Sequence, residues 1–296
     1  CIRDSSYILK NNKGNFSILE NQPFQNIGMI TDAIWEDYDS DGFVDLILVG
    51  EWMTPKFFKN TKGNFVEENL IKSKLTGLWQ QITPFDIDKD GDVDFLLGNW
   101  GKNSKFEASQ EHPLRMYYSD FDENGSTETI LCNFKNGAYY PLLGLDELAS
   151  QIVSLRKKFT NYKSFAGKSI DAIFEKSVLK KARIFEVNTL ASGYLKNENN
   201  TFTFIPFKNE LQVSPISAFL EFDFDANGVN EVLVAGNYFG VSPYHGRFDS
   251  FPGALIVNED KIILGNKIGL NFSQKAVKKL NIIKVQNKSY VLATIN

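Results

Sequence analysis

An acidic nine-residue loop occurs four times in this chain, and each copy runs directly into a short apolar segment. Acids or amides stand at loop positions 1, 3, 5 and 9, and glycine stands at position 6. Calcium binds six to eight oxygen atoms at about 2.3–2.6 Å, and a tight loop can direct alternate residues at one ion. The four loops, which we name loops 1 to 4, cover residues 37–45, 86–94, 120–128 and 223–231.

The predicted calcium ligands are the residues at loop positions 1, 3, 5, 7 and 9. In known calcium loops position 7 contributes its backbone carbonyl. Loops 3 and 4 have Asn at position 5, which still offers a carbonyl oxygen but removes one charge. The pattern predicts up to four bound Ca²⁺ ions. The ligand sets are Asp37, Asp39, Asp41, Phe43 and Asp45; Asp86, Asp88, Asp90, Asp92 and Asp94; Asp120, Asp122, Asn124, Ser126 and Glu128; and Asp223, Asp225, Asn227, Val229 and Glu231.

Two other interpretations of the loops compete with this one. Asp, Asn and Gly are common in ordinary turns, but carboxylates crowded into nine residues repel one another without a counter-ion. An EF-hand needs Glu at position 12 and a helix on each side, whereas position 12 here is Leu or Val. The apolar segments are short and end at Gly, Asn or Cys, which favours buried strands. Each loop is therefore expected to lead into an inner β-strand.

A repeat of about 49 residues links two independent features. Loops 1 and 2 are separated by this distance, and so are two Asn-x-x-Gly hairpin turns that begin at Asn11 and Asn60. Periods of this length in strand-rich sequence suggest propeller blades. One repeat is predicted to hold strands at 32–35, 46–49, 57–59 and 65–67. The expected fold is an all-β propeller over residues 1–296, with about four to five four-stranded blades.

The later repeats are less regular. The second is predicted to run from Gln81 to Tyr118, and the third is predicted to start at Met116. A helical insertion is expected at about 146–186, with one amphipathic helix over 145–162 capped by Asp146 and a second helix starting at Ser169. It is expected to cover apolar blade surface or to dock a partner. The strand pattern resumes at 188–195 and 202–207.

Composition excludes several classes of function. The formal charge is −4, and 14 of the 36 acids stand at loop positions 1, 3, 5 and 9, so the acidity belongs to the metal loops. No basic patch suggests nucleic acid, and no apolar run approaches the length of a transmembrane helix. No apolar leader is visible. Cys132 is expected to be a free buried thiol. Cys1 is either a lipid-bearing cysteine or an accident of where the sequence begins.

These motifs resemble the FG-GAP or VCBS repeat family, the calcium-loop propellers also found in the head of integrin alpha chains. Several segments are similar to the C-terminal half of large VCBS-repeat proteins of Bacteroidota, and the resemblance covers nearly the whole chain. It implies a part of a longer protein whose N-terminal blades would close the ring. It also implies an exported, often lipid-anchored surface protein, in several cases linked to outer-membrane nutrient uptake. The segments are 28–33, 49–53, 98–104, 120–125, 212–216, 236–240 and 246–249.

Candidate ligand contacts are fewer. Aromatic residues near strand ends stack on sugars in some proteins, but more often they pack in the core or between blades. The polar loop 244–249, together with two of these aromatics, is the predicted contact region for a ligand. Its residues are Tyr244, His245, Arg247, Trp100 and Tyr238. The other strand-end tryptophans are Trp35, Trp52 and Trp79.

A catalytic set is not visible in the sequence. The two histidines lie in no zinc motif, and neither a nucleophile elbow nor a glycine-rich phosphate loop is present. The expected function is a calcium-binding, non-catalytic surface propeller that binds or scaffolds a protein partner or a glycan. The alternative is a polysaccharide-active enzyme whose acid and base residues lie outside these 296 residues.

Overall fold

The computed structural model describes residues 7–19, 23–24, 26–241 and 246–296. Strands dominate this part of the chain and the helices are few and short, which confirms the all-β class. In chain order the strands are β1 (Leu9–Asn12), β2 (Asn15–Ile18), β3 (Met29–Glu36), β4 (Asp45–Met53), β5 (Lys56–Thr61), β6 (Asn64–Glu68), β7 (Gly77–Leu78), β8 (Gln81–Pro84), β9 (Phe95–Gly98), β10 (Leu114–Ser119), β11 (Glu128–Lys135), β12 (Ala138–Pro141), β13 (Arg183–Val187), β14 (Gly193–Asn197), β15 (Phe202–Pro206), β16 (Ile216–Phe222), β17 (Glu231–Gly236), β18 (Ala254–Ile256), β19 (Ile262–Leu264), β20 (Val277–Val285) and β21 (Lys288–Ile295). The helices are α1 (Leu145–Gln151), α2 (Leu155–Lys158), α3 (Tyr162–Phe165), α4 (Ile170–Ile173) and α5 (Lys176–Lys181).

The chain forms two compact units. The first consists of Cys1–Ser104 together with Leu190–Asn296, and the second is Lys105–Thr189. In the first unit, the described residues form three antiparallel sheets in the strand orders β3-β4-β5-β6, β8-β9-β14-β15 and β16-β17-β18-β19, which we name sheets A, B and C. β7 adds to β4 in sheet A, and β1-β2 and β20-β21 are two-stranded ribbons.

The strand predictions for the first repeat are confirmed. All four predicted strands lie within β3, β4, β5 and β6, which extend beyond the predicted ends. The two predicted hairpin turns also form, because Asn11 Oδ1 and Asn60 Oδ1 each accept a hydrogen bond from the backbone N–H of the glycine three residues later, at 2.8 Å and 2.7 Å. The short polar side chain thus closes the turn that joins two strands.

Sheet B differs from the predicted second repeat. β9 does not continue into the strand predicted near Met116, because the chain leaves the sheet after Gly98 and returns only at β14. Leu195 pairs with Phe95 across this gap, and β15 then completes the sheet. A third hairpin turn joins β14 to β15, with Asn197 Oδ1 accepting from Asn200 N at 2.9 Å. A sequence period detects only local order, so this non-local pairing stayed hidden.

The second unit contains the remaining four-stranded sheet, in the order β12-β11-β10-β13, and all five helices. The prediction of one helix over 145–162 is wrong, because non-helical backbone at Ile152 and Phe159 divides it into α1, α2 and α3. The N-cap of α1 is Gly144, and Asp146 lies in its first turn. The start of α4 after Ser169 is as predicted.

The helical periodicity nevertheless identified residues of one core. Five of the six residues that suggested the long helix are buried, and they pack in one cluster with Cys132 and Ile130 of β11. The sixth, Tyr162, is exposed and donates a hydrogen bond to Asp146 Oδ2 at 2.7 Å. Short helices are marginal alone and depend on tertiary packing, so burial is satisfied here without a continuous helix. The five buried residues are Leu145, Leu148, Ile152, Leu155 and Phe159.

Apolar clusters join the sheets of the first unit in chain order. Phe57 of sheet A stacks on Phe202 of sheet B with ring centroids 4.6 Å apart. Leu96 and Tyr194 of sheet B pack with Phe219 of sheet C. Sheet C packs in turn on the ribbon β20-β21 through another buried cluster. Each sheet is therefore covered by apolar side chains of the next.

Polar side chains on β3, β8 and β16, the first strand of each sheet, link neighbouring sheets. Each makes a hydrogen bond with the backbone at the first strand of the following sheet or ribbon. Such bonds satisfy backbone groups that packing would otherwise leave unpaired. The bonds join Asp32 Oδ2 to Ile82 N at 3.1 Å, Gln81 Oε1 to Phe219 N at 3.0 Å and Ser217 Oγ to Val277 O at 2.6 Å.

Replacing Gln81 tests the contribution of these hydrogen bonds between sheets. Gln81→Met keeps a similar side-chain volume but leaves Phe219 N without its acceptor, so the free energy of unfolding should fall by about 1–3 kcal/mol. The matched control is Gln151→Met on the exposed face of α1, which should change it by less than about 0.5 kcal/mol. Urea unfolding followed by tryptophan fluorescence measures both. Equal unfolding midpoints for the two variants would contradict the proposed role of the bond.

Candidate metal centres

Each acidic loop folds around the carboxylate at its first position. In loop 1, Asp37 Oδ1 accepts a hydrogen bond from Asp41 N at 3.1 Å, and Asp37 Oδ2 accepts one from Gly42 N at 2.9 Å. The same two bonds, from the residues at positions 5 and 6, form in the other three loops at 2.8–3.2 Å. The carboxylate at position 1 is therefore hydrogen-bonded to the backbone of its own loop in all four copies. The acceptors in those loops are Asp86, Asp120 and Asp223.

The side chain at position 5 repeats a second bond. Asp41 Oδ1 accepts from the amide of position 7 at 2.9 Å, and Asp90 does so at the same distance. Asn124 and Asn227 accept the equivalent bond at 2.8 Å and 2.7 Å. Because an amide oxygen accepts as a carboxylate does, Asp and Asn are interchangeable in this structural role and differ only in charge.

The backbone of every loop is left-handed at positions 4 and 6. Position 4 has φ between 58° and 64° although it is never glycine, and the glycine at position 6 has φ between 87° and 95°. A Cβ atom on any of these four glycines would meet no atom within 4 Å. Glycine is therefore needed for its backbone conformation and not for space. The residues at position 4 are Ser40, Lys89, Glu123 and Ala226.

Three carboxylates converge in each loop. One oxygen from each of the three lies within 4.8 Å of the others. Two oxygens that bind one Ca²⁺ at about 2.3–2.6 Å are separated by at most about 5 Å, so this spacing suits a single ion. The groups are Asp37, Asp39 and Asp41; Asp86, Asp88 and Asp90; Asp120, Asp122 and Glu128; and Asp223, Asp225 and Glu231.

The acid at position 9 is buried where the following strand begins. Asp45 Oδ1 accepts from Asn60 N, and Asp94 Oδ1 accepts from Asn197 N, both at 2.7 Å. Burial raises the pKa of Asp45 and of Asp94 to about 6. In loops 3 and 4 the acid is Glu, and its Oε2 accepts from the amide of loop position 2 at 2.9–3.0 Å.

Two buried carboxylate oxygens have no hydrogen-bond partner within the described residues, namely Asp45 Oδ2 and Asp122 Oδ1. An unsatisfied buried polar atom costs about 1–3 kcal/mol, and more when it is charged. Asp122 belongs to the convergent group of loop 3, so a cation there would satisfy its Oδ1, whereas Asp45 lies outside the convergent group of loop 1. The convergent carboxylates and Asp122 Oδ1 fit a hard divalent ion such as Ca²⁺.

Position 7 supplies only backbone to such a site in loops 1 and 4. Phe43 and Val229 have exposed apolar side chains, so their carbonyls are the available ligands. Asp92 and Ser126 occupy the same position in loops 2 and 3. The bond that each position-7 amide donates to position 5 fixes this part of the loop.

Strands lie on both sides of every loop, which excludes the EF-hand. The loops join β3 to β4, β8 to β9, β10 to β11 and β16 to β17, all antiparallel pairs. β9 and β17 are buried along their whole length, and β4 is buried over its first six residues. β11 differs because exposed residues interrupt its buried ones. The predicted inner strand is therefore confirmed for loops 1, 2 and 4.

Two lysines that the sequence analysis did not single out lie against loops 1 and 2. Lys59 Nζ contacts Asp39 and is 3.0 Å from Asp41 Oδ2, and Lys196 Nζ contacts Asp88. These carboxylates raise the pKa of both lysines. In turn, Lys59 is the main cause of the lowered pKa of Asp41. Strand register could have revealed the two lysines, since continuing the pairing by one residue would place each opposite loop position 9.

The predicted ligand-contact residues are only partly described. Tyr244 and His245 lie outside the described residues. The ring of Trp100 packs 5.5 Å from Tyr238 and 5.4 Å from Phe248. Arg247 is exposed, and its guanidinium lies 4.1 Å from the ring centre of Phe239.

The remaining aromatic and cysteine predictions divide between core and surface. Trp79 is fully buried, and its Nε1 donates to Met53 O at 3.0 Å. Trp35 is half exposed and packs against Phe65. Cys132 is a buried free thiol, as predicted, and burial raises its pKa. Cys1 lies outside the described residues. Among the described helices, none is long and apolar enough to span a membrane.

Comparison with known families supports the repeat assignment. The sequence model of the FG-GAP-like repeat matches residues 37–97. The match begins at position 1 of loop 1 and ends in the strand that follows loop 2, so it includes both of the most acidic loops. No curated protein matches the chain at a significant level.

Replacing the loop glycine separates backbone conformation from charge. Gly91→Ala puts a Cβ on a residue with φ of 95°, which should lower the free energy of unfolding by about 1–2 kcal/mol. Gly91→Asn should cost less, because Asn tolerates left-handed backbone better. Urea unfolding in calcium measures both variants. Equal losses would mean that the conformation of position 6 does not control the loop.

Removing one ligand should remove one ion. Asp225 stands at position 3 of loop 4, and Asp225→Ala takes away one of three convergent carboxylates. We expect the number of calcium ions bound per chain to fall by about one, or the affinity of one site to fall at least tenfold. The control, Asp260→Ala, removes the same charge from an exposed turn outside the loops. Calorimetric titration decides, and identical titrations for the two variants would refute the assignment of Asp225.

Proposed function

We propose that this chain is a calcium-stabilised β-propeller segment that binds or scaffolds a partner and performs no catalysis. The observation that carries the proposal is the fourfold repetition of one loop geometry with convergent carboxylates, one of which, Asp122, has a buried oxygen that a cation would satisfy. In this account calcium is a structural ion. It neutralises the loops that join the first two strands of each blade.

The propeller interpretation rests on the first unit. Sheets A, B and C correspond to blades. Each has four antiparallel strands, and a side chain on its first strand makes a hydrogen bond to the first strand of the following sheet or ribbon. Sheet C is followed by the ribbon β20-β21, which packs on it as a further partial blade. The ribbon β1-β2 carries the same Asn-Gly turn as the outer hairpin of sheet A, which suits the outer half of a preceding blade.

A cell-surface or extracellular location agrees with the proposed ion. Extracellular calcium modules bind their ion at about 10⁻⁴–10⁻³ M, a range that cytosolic calcium does not reach. The resemblance to VCBS-repeat surface proteins supports the same location. An accessory role in outer-membrane nutrient uptake, and a lipid anchor on the complete protein, rest on that resemblance alone.

The proposed contact surface lies at the ends of β9 and β17, opposite their metal loops. Asn99 and Trp100 follow β9, and Asn237 and Tyr238 follow β17. The segment that holds Arg247 is fixed beside Tyr238, because Tyr238 and Phe248 exchange two backbone hydrogen bonds at 2.8 Å and 3.1 Å. Aromatic faces beside a guanidinium suit a sugar or a carboxylate-bearing partner.

Non-catalytic function is part of the proposal. Asp45 and Asp94, whose pKa burial raises to about 6, belong to the acidic loops, where a bound ion would hold them ionised. His112 stacks on Phe134 with ring centres 3.9 Å apart.

A glycan screen tests binding against catalysis. The chain is incubated with a polysaccharide panel in millimolar calcium, and both retention and product release are measured. We expect retention without turnover, and Trp100→Ala should weaken it about tenfold, as expected for loss of one aromatic contact. Trp35→Ala, which alters an exposed tryptophan on sheet A, is the matched control. Turnover that disappears on changing a single residue outside the loops would instead establish an enzyme.

A further inference from the structure

In sheets A, B and C, the strand that comes directly after the acidic loop is paired on its other side with a neighbouring strand. Leu46 pairs with Phe58, Phe95 with Leu195, and Val232 with Ile256. Continuing each pairing by one residue would place loop position 9 opposite a residue of the neighbouring strand. These residues are Lys59 for Asp45 in sheet A, Lys196 for Asp94 in sheet B and Val257 for Glu231 in sheet C. Two sheets thus have a lysine at this place and one has a valine.

Both lysines point at loop carboxylates. Lys59 Nζ contacts the position-3 carboxylate Asp39 and lies 3.0 Å from the position-5 carboxylate Asp41. Lys196 Nζ contacts the position-3 carboxylate Asp88. The same carboxylates belong to the convergent groups that suit a cation. An ammonium group at this place would therefore lie next to a bound cation and compete with it for the same carboxylates.

Among the described ion pairs, a lysine contacts the loops that hold the larger number of carboxylates at positions 1, 3, 5 and 9, namely loops 1 and 2. Positions 1, 3, 5 and 9 hold four carboxylates in these loops, and one ammonium leaves three net negative charges. Loops 3 and 4 hold three carboxylates at the same positions, because Asn replaces Asp at position 5. The extra acid and the lysine thus occur together, and all four loops reach the same charge at these positions.

Loops 3 and 4 have no equivalent contact among the described ion pairs. At loop 3 the described ion pair joins Lys181 Nζ to Glu123 Oε1 at 3.7 Å. Glu123 is at position 4, is strongly exposed and is not a predicted ligand. In sheet C the corresponding residue, Val257, carries no charge.

We propose that Lys59 and Lys196 are tethered counter-ions, which hold loops 1 and 2 folded when calcium is absent and compete with calcium for those loops. Loops 3 and 4, which show no such cation among the described ion pairs, then depend on the ion itself for their order. This inference rests on the proposed calcium binding. It divides the sites into two that are prepared before the ion arrives and two that become ordered with it.

Hydrogen exchange of loop peptides tests the inference one loop at a time. The full chain is titrated with calcium from a chelated start, and exchange is followed for peptides that cover each loop. Without calcium, loops 1 and 2 should exchange more slowly than loops 3 and 4. Lys59→Met should speed exchange of loop 1 in chelator and lower its calcium midpoint roughly tenfold, because a repelling charge is removed. The other three loops should not change.

The control removes the same charge without touching the loop. Lys62 lies at the exposed tip of the β5–β6 hairpin, and Lys62→Met should leave the loop 1 midpoint within about twofold. A converse variant does not depend on the folding of Lys59→Met. Val257→Lys introduces the ammonium into sheet C, so the calcium midpoint of loop 4 should rise and its exchange in chelator should slow.

The outcomes separate this inference from the proposed function. If the loops of the unaltered chain respond to calcium but Lys59→Met and Val257→Lys leave their midpoints unchanged, calcium binding stands and the tethered counter-ion is refuted. A higher midpoint in Lys59→Met would also refute competition, because the lysine would then assist the ion. If no loop of the unaltered chain responds to calcium, both proposals fail.

Discussion

Repulsion between converging carboxylates is the constraint on which this structure depends. Each loop places three acidic oxygens within 4.8 Å of one another at the start of a strand. Backbone N–H groups offset part of the repulsion, because the carboxylate at position 1 accepts hydrogen bonds from two of them in every loop. The rest requires positive charge. We propose that a divalent cation supplies it in the four loops, and in loops 1 and 2 a lysine also contacts the carboxylates.

The metal loops matter for the fold because they lie at the beginning of inner strands. In the first unit, the acid at position 9 of loops 1 and 2 is almost completely buried and bonds to the backbone of the next strand, through Asn60 N and Asn197 N. The same asparagines close the outer hairpin turns with their side chains. One loop therefore positions three strands of its sheet. Side chains such as Gln81 then make hydrogen bonds from one sheet to the backbone of the next.

Local patterns in the sequence were sufficient to predict much of this architecture. The spacing of acids and glycine predicted loops between strands, and the Asn-x-x-Gly pattern predicted two hairpins. Properties that depend on distant parts of the chain were not predicted. The pairing of Phe95 with Leu195 crosses nearly a hundred residues, and no periodicity reports it. The apolar spacing over 145–162 identified a buried face correctly, but the non-helical backbone at Ile152 and Phe159 could not be inferred from spacing. Lys59 and Lys196 became recognisable only once strand register placed them opposite the acids.

Thermal unfolding in millimolar calcium and in excess chelator, combined with metal analysis of the purified chain, tests the central claim most directly. The account predicts several calcium ions per chain and a melting temperature that falls clearly when they are removed, because binding to the folded state alone stabilises it by mass action. A chain that contains no metal and melts at the same temperature in both conditions would contradict the account. The loops would then be ordinary acidic turns, and their buried carboxylates would need another explanation.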